Sequence, residues 1–289
     1  MSSLRWQRRP VLRRPVMVVA FGGWNDAADA ASTAVEYLVR TWSARVFAEI
    51  DPEDFFDFTV ARPQIRLEDG LTRRIEWPAI TLSAASVPGS QRDVVLLRGT
   101  EPALRWRHFS DAVVGVAAEL GVEMVVGLGA LLADIAHTRP VKVTGTAADP
   151  ALVARLGLSR SRYEGPTGIL GVLHEAFAAA GIPSVSLWAS VPHYVAQSPS
   201  PKATLALVER TVGLLGVSLD AFDLKVATSA YERQVNEMVA ADEDAVVYVA
   251  HLEQAGDDII GDDDLLEPVS ADELADEVSD YLRDHHGEP

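Results

Sequence analysis

Val16-Met17-Val18-Val19-Ala20-Phe21, followed by Gly22-Gly23-Trp24-Asn25-Asp26, is the stretch that decides the fold. An unbroken apolar run without alternation suits a strand buried on both faces. The glycines make a turn, and Asn25 or Asp26 can cap the Ala-rich helix that runs on to about Trp42. Arg45–Ile50 is a second strand, so the first fifty residues have βαβ character.

Outward from this unit the alternation continues. Ile65 to Trp77 forms a hairpin around Glu68-Asp69-Gly70, and Ile80–Ser86 and Asp93–Arg98 are strands. Thr100 is expected to cap the next helix, with Pro102 in its first turn. Trp106, Phe109, Val113, Val116 and Leu120 recur at helical spacing along it. Met124–Leu128 and Val141–Ala147 are further strands. Gly168–Ala180 is a helix ended by Gly181 and Pro183, and Ser184–Val191 is a strand. Ser200 and Pro201 open a helix with Leu205, Val208, Val212 and Leu215 on one face. Beyond Asp220, Ala245–Ala250 has the composition of a strand, and Ser270 with Glu273 makes a capping box for a last helix. The expected fold is α/β: a mostly parallel, doubly wound sheet over residues 1–220, with an acidic helical extension at 221–289.

A hydrophobic fraction of 48% over 289 residues is enough for a core that needs no disulfide or metal. There is no cysteine, which excludes thiolate zinc sites and cysteine nucleophiles and fits a reducing, cytoplasmic compartment. No signal-peptide h-region or membrane-spanning run is present in the sequence. From Asp242 to Pro289 there are 17 acids against one base, Arg283, so nearly all of the net charge of −17 lies there. Such a segment repels phosphate backbones and anionic lipid, so neither nucleic acid nor membrane is expected as a partner. It is either a solvated segment or a docking surface for a basic protein.

Four segments carry the unusual residues: Gly22–Asp26, Gly99–Pro102, Gly127 through Arg139, and Pro192-His193-Tyr194. Each follows a strand, and in an open parallel sheet the carboxyl ends of strands share one edge, where ligands bind. Asp134 and His137 are the candidate acid–base pair. Gly22, Gly23, Asn25, Asp26, Glu101, Gly129, Arg139, His193 and Tyr194 are candidate ligand-binding residues. Backbone N–H groups at Gly22–Gly23 and at a helix start near Thr100 suit an anion. Each side chain also has a structural reading: Asp26 as a helix cap, Glu101 as a dipole complement, His137 as a loop anchor, His193 and Tyr194 as a packed turn. Gly127-x-Gly129 lacks the third glycine of a dinucleotide fingerprint, since Leu132 stands there. Phosphate-loop, nucleophile-elbow, zinc-helix and calcium-loop patterns are absent, and no metal or cofactor is expected. Phe55, Phe56 and Phe58 beside acids are either a core plug or a protein-binding surface.

Taken together, several segments resemble one family. They are Gly22–Ala28, Asp57–Val60 with Arg62-Pro63, and Gly99–Pro102 with Trp106 and Phe109. To these add Leu128–Ala130, Asp134, His137–Pro140, Tyr163–Ile169, Leu187–Ala189, Val191–Tyr194, Ser198-Pro199 and Ala203. This pattern, over residues 10 to 216, is similar to the proteasome assembly chaperone 2 (PAC2) family in its bacterial branch. The resemblance implies an α/β fold like that of purine nucleoside phosphorylases and related hydrolases. It also implies a homo-oligomer, with a trimer favoured, and a link to proteasome assembly; it supplies no catalytic residues. Two readings therefore stand: a non-catalytic oligomeric chaperone or interaction protein, or a binder or hydrolase of a nucleoside- or nucleotide-like small molecule. In the second, Gly23, Asn25 and Glu101 position the ligand for Asp134 and His137.

Overall fold

The computed structural model describes residues 4–69, 72–161 and 163–258. The strands are β1 (Leu4–Trp6), β2 (Val16–Gly22), β3 (Arg45–Ile50), β4 (Gln64–Glu68), β5 (Thr72–Glu76), β6 (Ile80–Ser86), β7 (Asp93–Thr100), β8 (Met124–Ala133), β9 (Val143–Ala147) and β10 (Ser184–Pro192). The helices are α1 (Ala30–Thr41), α2 (Trp106–Glu119), α3 (Pro150–Leu156), α4 (Ile169–Ala179), α5 (Pro201–Leu215), α6 (Phe222–Ala240) and α7 (Glu243–Asp258). Among the described residues no helix is long and apolar enough to cross a membrane.

Eight strands form one sheet in the order β1-β3-β6-β7-β2-β8-β10-β9. Its centre, β7-β2-β8-β10, is parallel, while β1, β6 and β9 run against their neighbours. The apolar run of β2 explains its central place, because only a strand covered on both faces hides every side chain. Val16, Val18 and Ala20 pack with α1 and α5 on one face. Met17, Val19 and Phe21 pack with α2 and α4 on the other. The unit β2-α1-β3 is a parallel crossover, but β7 and β6 lie between its two strands. At the far edge, Ser159 bridges the outer side of β9, donating to the Gly145 carbonyl (2.8 Å) and accepting from the Ala147 N–H (3.2 Å).

Several local expectations are corrected. Thr100 does not cap a helix: it pairs with Gly22 as the end of β7. The Ala103 and Leu104 N–H groups then donate to the Phe55 carbonyl, holding residues 101–105 in a loop, and α2 starts only at Trp106. Gly127 and Gly129 lie inside β8, since its pairing with β10 continues to Ala133. Ala245–Ala250 belongs to α7: the Asp242 carboxylate caps the Asp244 and Ala245 N–H groups, and Val249 and Leu252 bury one side of the helix. Of the two readings of the Phe55–Phe58 segment, Phe55 and Phe56 bear out the core plug, with Phe55 packed on the rings of His108 and Phe109. The helix expected from Ser270 lies outside the described residues.

The β4–β5 hairpin forms a separate two-stranded sheet. One face carries the ion pairs Arg66–Glu76 and Arg74–Glu68, each 3.0 Å. The other presents Ile65 opposite Ile75 and Leu67 opposite Arg73, while Trp77, just past β5, meets Phe58 edge to face; the apolar residues are Ile65, Leu67, Ile75 and Trp77. All four are more than half exposed, Ile65 at 63%.

Candidate functional site

Because β2, β7, β8 and β10 are parallel, the loops that follow them do leave one rim of the sheet. The structure sorts their side chains into two groups.

The first group ties three loops together. Gly23 takes φ +132°, and its carbonyl accepts from the Asp26 N–H (3.0 Å), closing the turn after β2. The Gly22 carbonyl accepts from Glu101 N–H (2.8 Å), and the Asn25 carbonyl from Ala130 N–H (2.8 Å). Glu101 Oε1 accepts from Asn25 Nδ2 (3.0 Å) and from the Ile169 N–H (2.8 Å). Glu101 thus caps α4, whose own N-cap residue, Gly168, has no side chain to do so. The expected anion position at a helix start near Thr100 is lost with that helix, and the first N–H of α4 already faces a carboxylate. Asp26 is buried and caps α1 from a distance: its Oδ1 accepts from Ala31 N–H (2.6 Å) and Ser32 N–H (3.2 Å). Burial raises its pKa above the usual carboxylate value, the bonds to Ser32 and Ala31 opposing that shift.

The second group is a seam between the sheet and the last two helices. His137 is 3% exposed, with Nδ1 2.7 Å from Tyr194 Oη and Nε2 2.9 Å from Asn236 Oδ1 on α6. Its N–H donates to Tyr194 Oη (2.7 Å), and Lys202 donates to its carbonyl (2.6 Å). Burial pushes the Tyr194 pKa up to about 12. The side chain of Asp134 is 74% exposed and lies 3.0 Å from His193 Nδ1. The expected pairing of Asp134 with His137 is therefore corrected: both imidazole nitrogens have other partners, and the carboxylate faces a different histidine. Arg139 donates to the Glu253 carbonyl on α7 (2.6 Å). His193, Tyr194 and Tyr248 meet edge to face. Ala136 and Val195 join Tyr231, Val235, Val239, Val249 and Leu252 in a small core beneath.

A third feature lies beside the rim, on the α4 face of the sheet, and sequence reasoning missed it. An open cavity of about 780 Å³ is bounded by Trp24 and Asn25, by β8, β9 and β10, by α4 and by Arg160, Ser161, Tyr163, Pro166 and Thr167. Its floor comes from three neighbouring strands: Leu131 on β8, Ser186, Trp188 and Ser190 on β10, and Thr144 and Thr146 on β9. Trp188 lies across Gly129: a Cβ there would be 2.4 Å from its ring, which is why that position is glycine. Gly129 therefore serves packing at the cavity floor, not a phosphate loop. The charged Lys and Arg side chains of the lining are Lys142 and Arg160, with no Asp or Glu among the lining residues. The signal was present in the strand 184–191, where Ser184, Ser186, Trp188 and Ser190 alternate with Val185, Leu187, Ala189 and Val191.

The family model described as "PAC2 family" matches residues 20–239, extending into α6. A PAC2 family protein from Streptomyces avermitilis is 52% identical, with TM-score 0.76, over 81% of this chain and 99% of that one. A proteasome-assembly chaperone homologue from Mycobacterium tuberculosis is 50% identical, with TM-score 0.74, over 81% of this chain and 99% of that one. An archaeal proteasome activator from Pyrococcus furiosus shares the fold at 17% identity and TM-score 0.66, over 81% of this chain and 97% of that one. No curated protein matches.

Proposed function

The chain belongs to the PAC2 family, and from that premise we propose that it is a self-associating, non-catalytic chaperone of the cytoplasm. Its link to proteasome assembly is supported by the description of the M. tuberculosis relative. The bonding of His137 to Tyr194 and Asn236 favours a structural role for the histidine over a catalytic one.

The observation that carries this reading is the β4–β5 hairpin. An isolated two-stranded sheet is marginal in water, and this one turns Ile65, Leu67, Ile75 and Trp77 outward. Burying that face against other copies of the chain removes the exposed patch, and a trimer is the state we favour. Light scattering on the Ile65→Glu/Ile75→Glu variant tests it. A fall to monomer mass with unchanged melting is expected, and a wild-type mass would refute the hairpin contact.

Residues 221–289 act in this reading as an acidic helical extension, and the acidic end is the docking element for a basic protein partner. Since α6 and α7 hold His137 and Arg139, its test is deletion of residues 259–289 only, which keeps Asn236 and Glu253, their partners. Partners captured equally by both forms would count against it. A second reading, a binder of a nucleoside- or nucleotide-like small molecule, is favoured by the 780 Å³ cavity.

A further inference from the structure

We infer that the cavity over β9 and β10 takes a flat, hydroxyl-bearing organic anion, its ring against Trp188 and its charged group between Lys142 and Arg160. This rests on the small-molecule reading above and assigns its place and chemistry, which differ from those expected at the strand-end rim.

The argument begins with the sheet. On its α1 and α5 face, β8 and β10 contribute Val126, Leu128, Ala130, Val185, Leu187, Ala189 and Val191, all in the core. On the opposite face β10 carries Ser184, Ser186, Trp188 and Ser190, and β8 sets Gly127 and Gly129 beside them. Ser186 stands beside Gly127 and Thr146, and Trp188 beside Gly129 and Thr144. A sheet face meant only to be covered by a helix carries branched apolar residues there, because an unpaired buried hydroxyl costs free energy. Hydroxyls on adjacent strands around an open cavity instead offer donors and acceptors to an occupant.

Size and shape agree. Small-molecule pockets run from about 300 to 1,000 Å³, and this one has about 780 Å³. The Trp188 ring lies against the backbone at Gly129, where a side chain would collide with it, and Trp24, also in the lining, is 55% exposed. Both offer ring faces for stacking.

Charge decides the class of occupant. The chain carries a net −17, yet the cavity lining holds Lys142 and Arg160 and no carboxylate. Neither cation has an ion-pair partner among the described residues. Two cations without an ion-pair partner in the lining of a hydroxyl-bearing pocket suit a carboxylate or phosphate. Among the described residues the lining holds no carboxylate to pair with a cationic ligand.

Quenching of tryptophan fluorescence in the full-length protein tests this with three probes: adenosine 5′-monophosphate, adenosine and ribose 5-phosphate. The monophosphate, which has ring, hydroxyls and charge, is expected to bind at least about tenfold tighter than either fragment. In Lys142→Ala/Arg160→Ala that preference over adenosine disappears, while Arg73→Ala, outside the cavity, leaves it intact. Filling the floor with Ser190→Leu abolishes binding at an unchanged melting temperature. Equal binding of adenosine and its monophosphate, or wild-type affinity in the double variant, would overturn the anion assignment and leave the pocket reading standing. Silence from all three probes, together with native mass spectrometry that finds no retained small molecule, would overturn both.

Discussion

Replacing Glu101 by alanine separates a structural rim from a ligand-binding one. The side chain makes two bonds through one oxygen, to Asn25 Nδ2 at 3.0 Å and to the Ile169 N–H at 2.8 Å. In Glu101→Ala the Asn25 amide, in a residue only 3% exposed, is left without this acceptor. Stranding a buried donor costs about 1–3 kcal/mol. The first turn of α4 loses its cap at the same time, worth about 1 kcal/mol, because Gly168 cannot replace it. The expected loss is therefore about 2–4 kcal/mol, partly offset by any water that enters. At about 2–4 °C per kcal/mol for a domain of this class, a fall of roughly 5–15 °C in melting temperature follows. Glu101→Gln keeps an acceptor oxygen and loses the charge, so it falls by about 1 kcal/mol only. Urea unfolding of wild type, both Glu101 variants, Asn25→Ala and the Asn25→Ala/Glu101→Ala double variant gives the coupling directly. Additive effects of Asn25 and Glu101, or a Glu101→Ala stability within about 0.5 kcal/mol of wild type, would refute the tie between these loops.

Three further outcomes are expected. Asp26 has a raised folded pKa through burial. Its contribution to stability is full below the ordinary carboxyl pKa and is lost as pH rises through the raised value; the advantage of Asp26→Asn in urea melts should therefore grow from acid to neutral pH. Gly129→Ala pushes a methyl into the Trp188 ring and should cost about 1–3 kcal/mol; in a Trp188→Ala background the added penalty should vanish in the same melts. Tyr194→Phe leaves the His137 N–H and Nδ1 without their hydroxyl and should cost about 1–3 kcal/mol, read by chemical denaturation.

The centre of the fold was legible because its strands are unbroken apolar runs, and a run such as Val16–Phe21 has only one stable setting. That setting also made the shared rim predictable. What failed was local: Thr100 and Pro102 carry the marks of a helix start, but the sheet keeps Thr100 and Phe55 captures the next N–H groups. Ala245–Ala250 is rich in β-formers, and burial of Val249 and Leu252 at helical spacing overrides that preference. Asp134 and His137 were brought to the same rim and then drawn apart by α6 and α7, whose contacts lie about a hundred residues further along the chain. The cavity is not legible in Ser184–Val191 read simply as a strand; its signal is the alternation of Ser184, Ser186, Trp188 and Ser190 with apolar residues.

The treatment of the sheet's two margins bears on how copies of the chain meet. One margin is a three-residue strip, Leu4–Trp6, and the other has backbone groups already claimed by Ser159. Among the described residues, neither margin offers an incoming molecule a long free ladder to zip onto. Crowding alone should not spin these molecules into ribbons, and any meeting of copies is left to protrusions and flat patches.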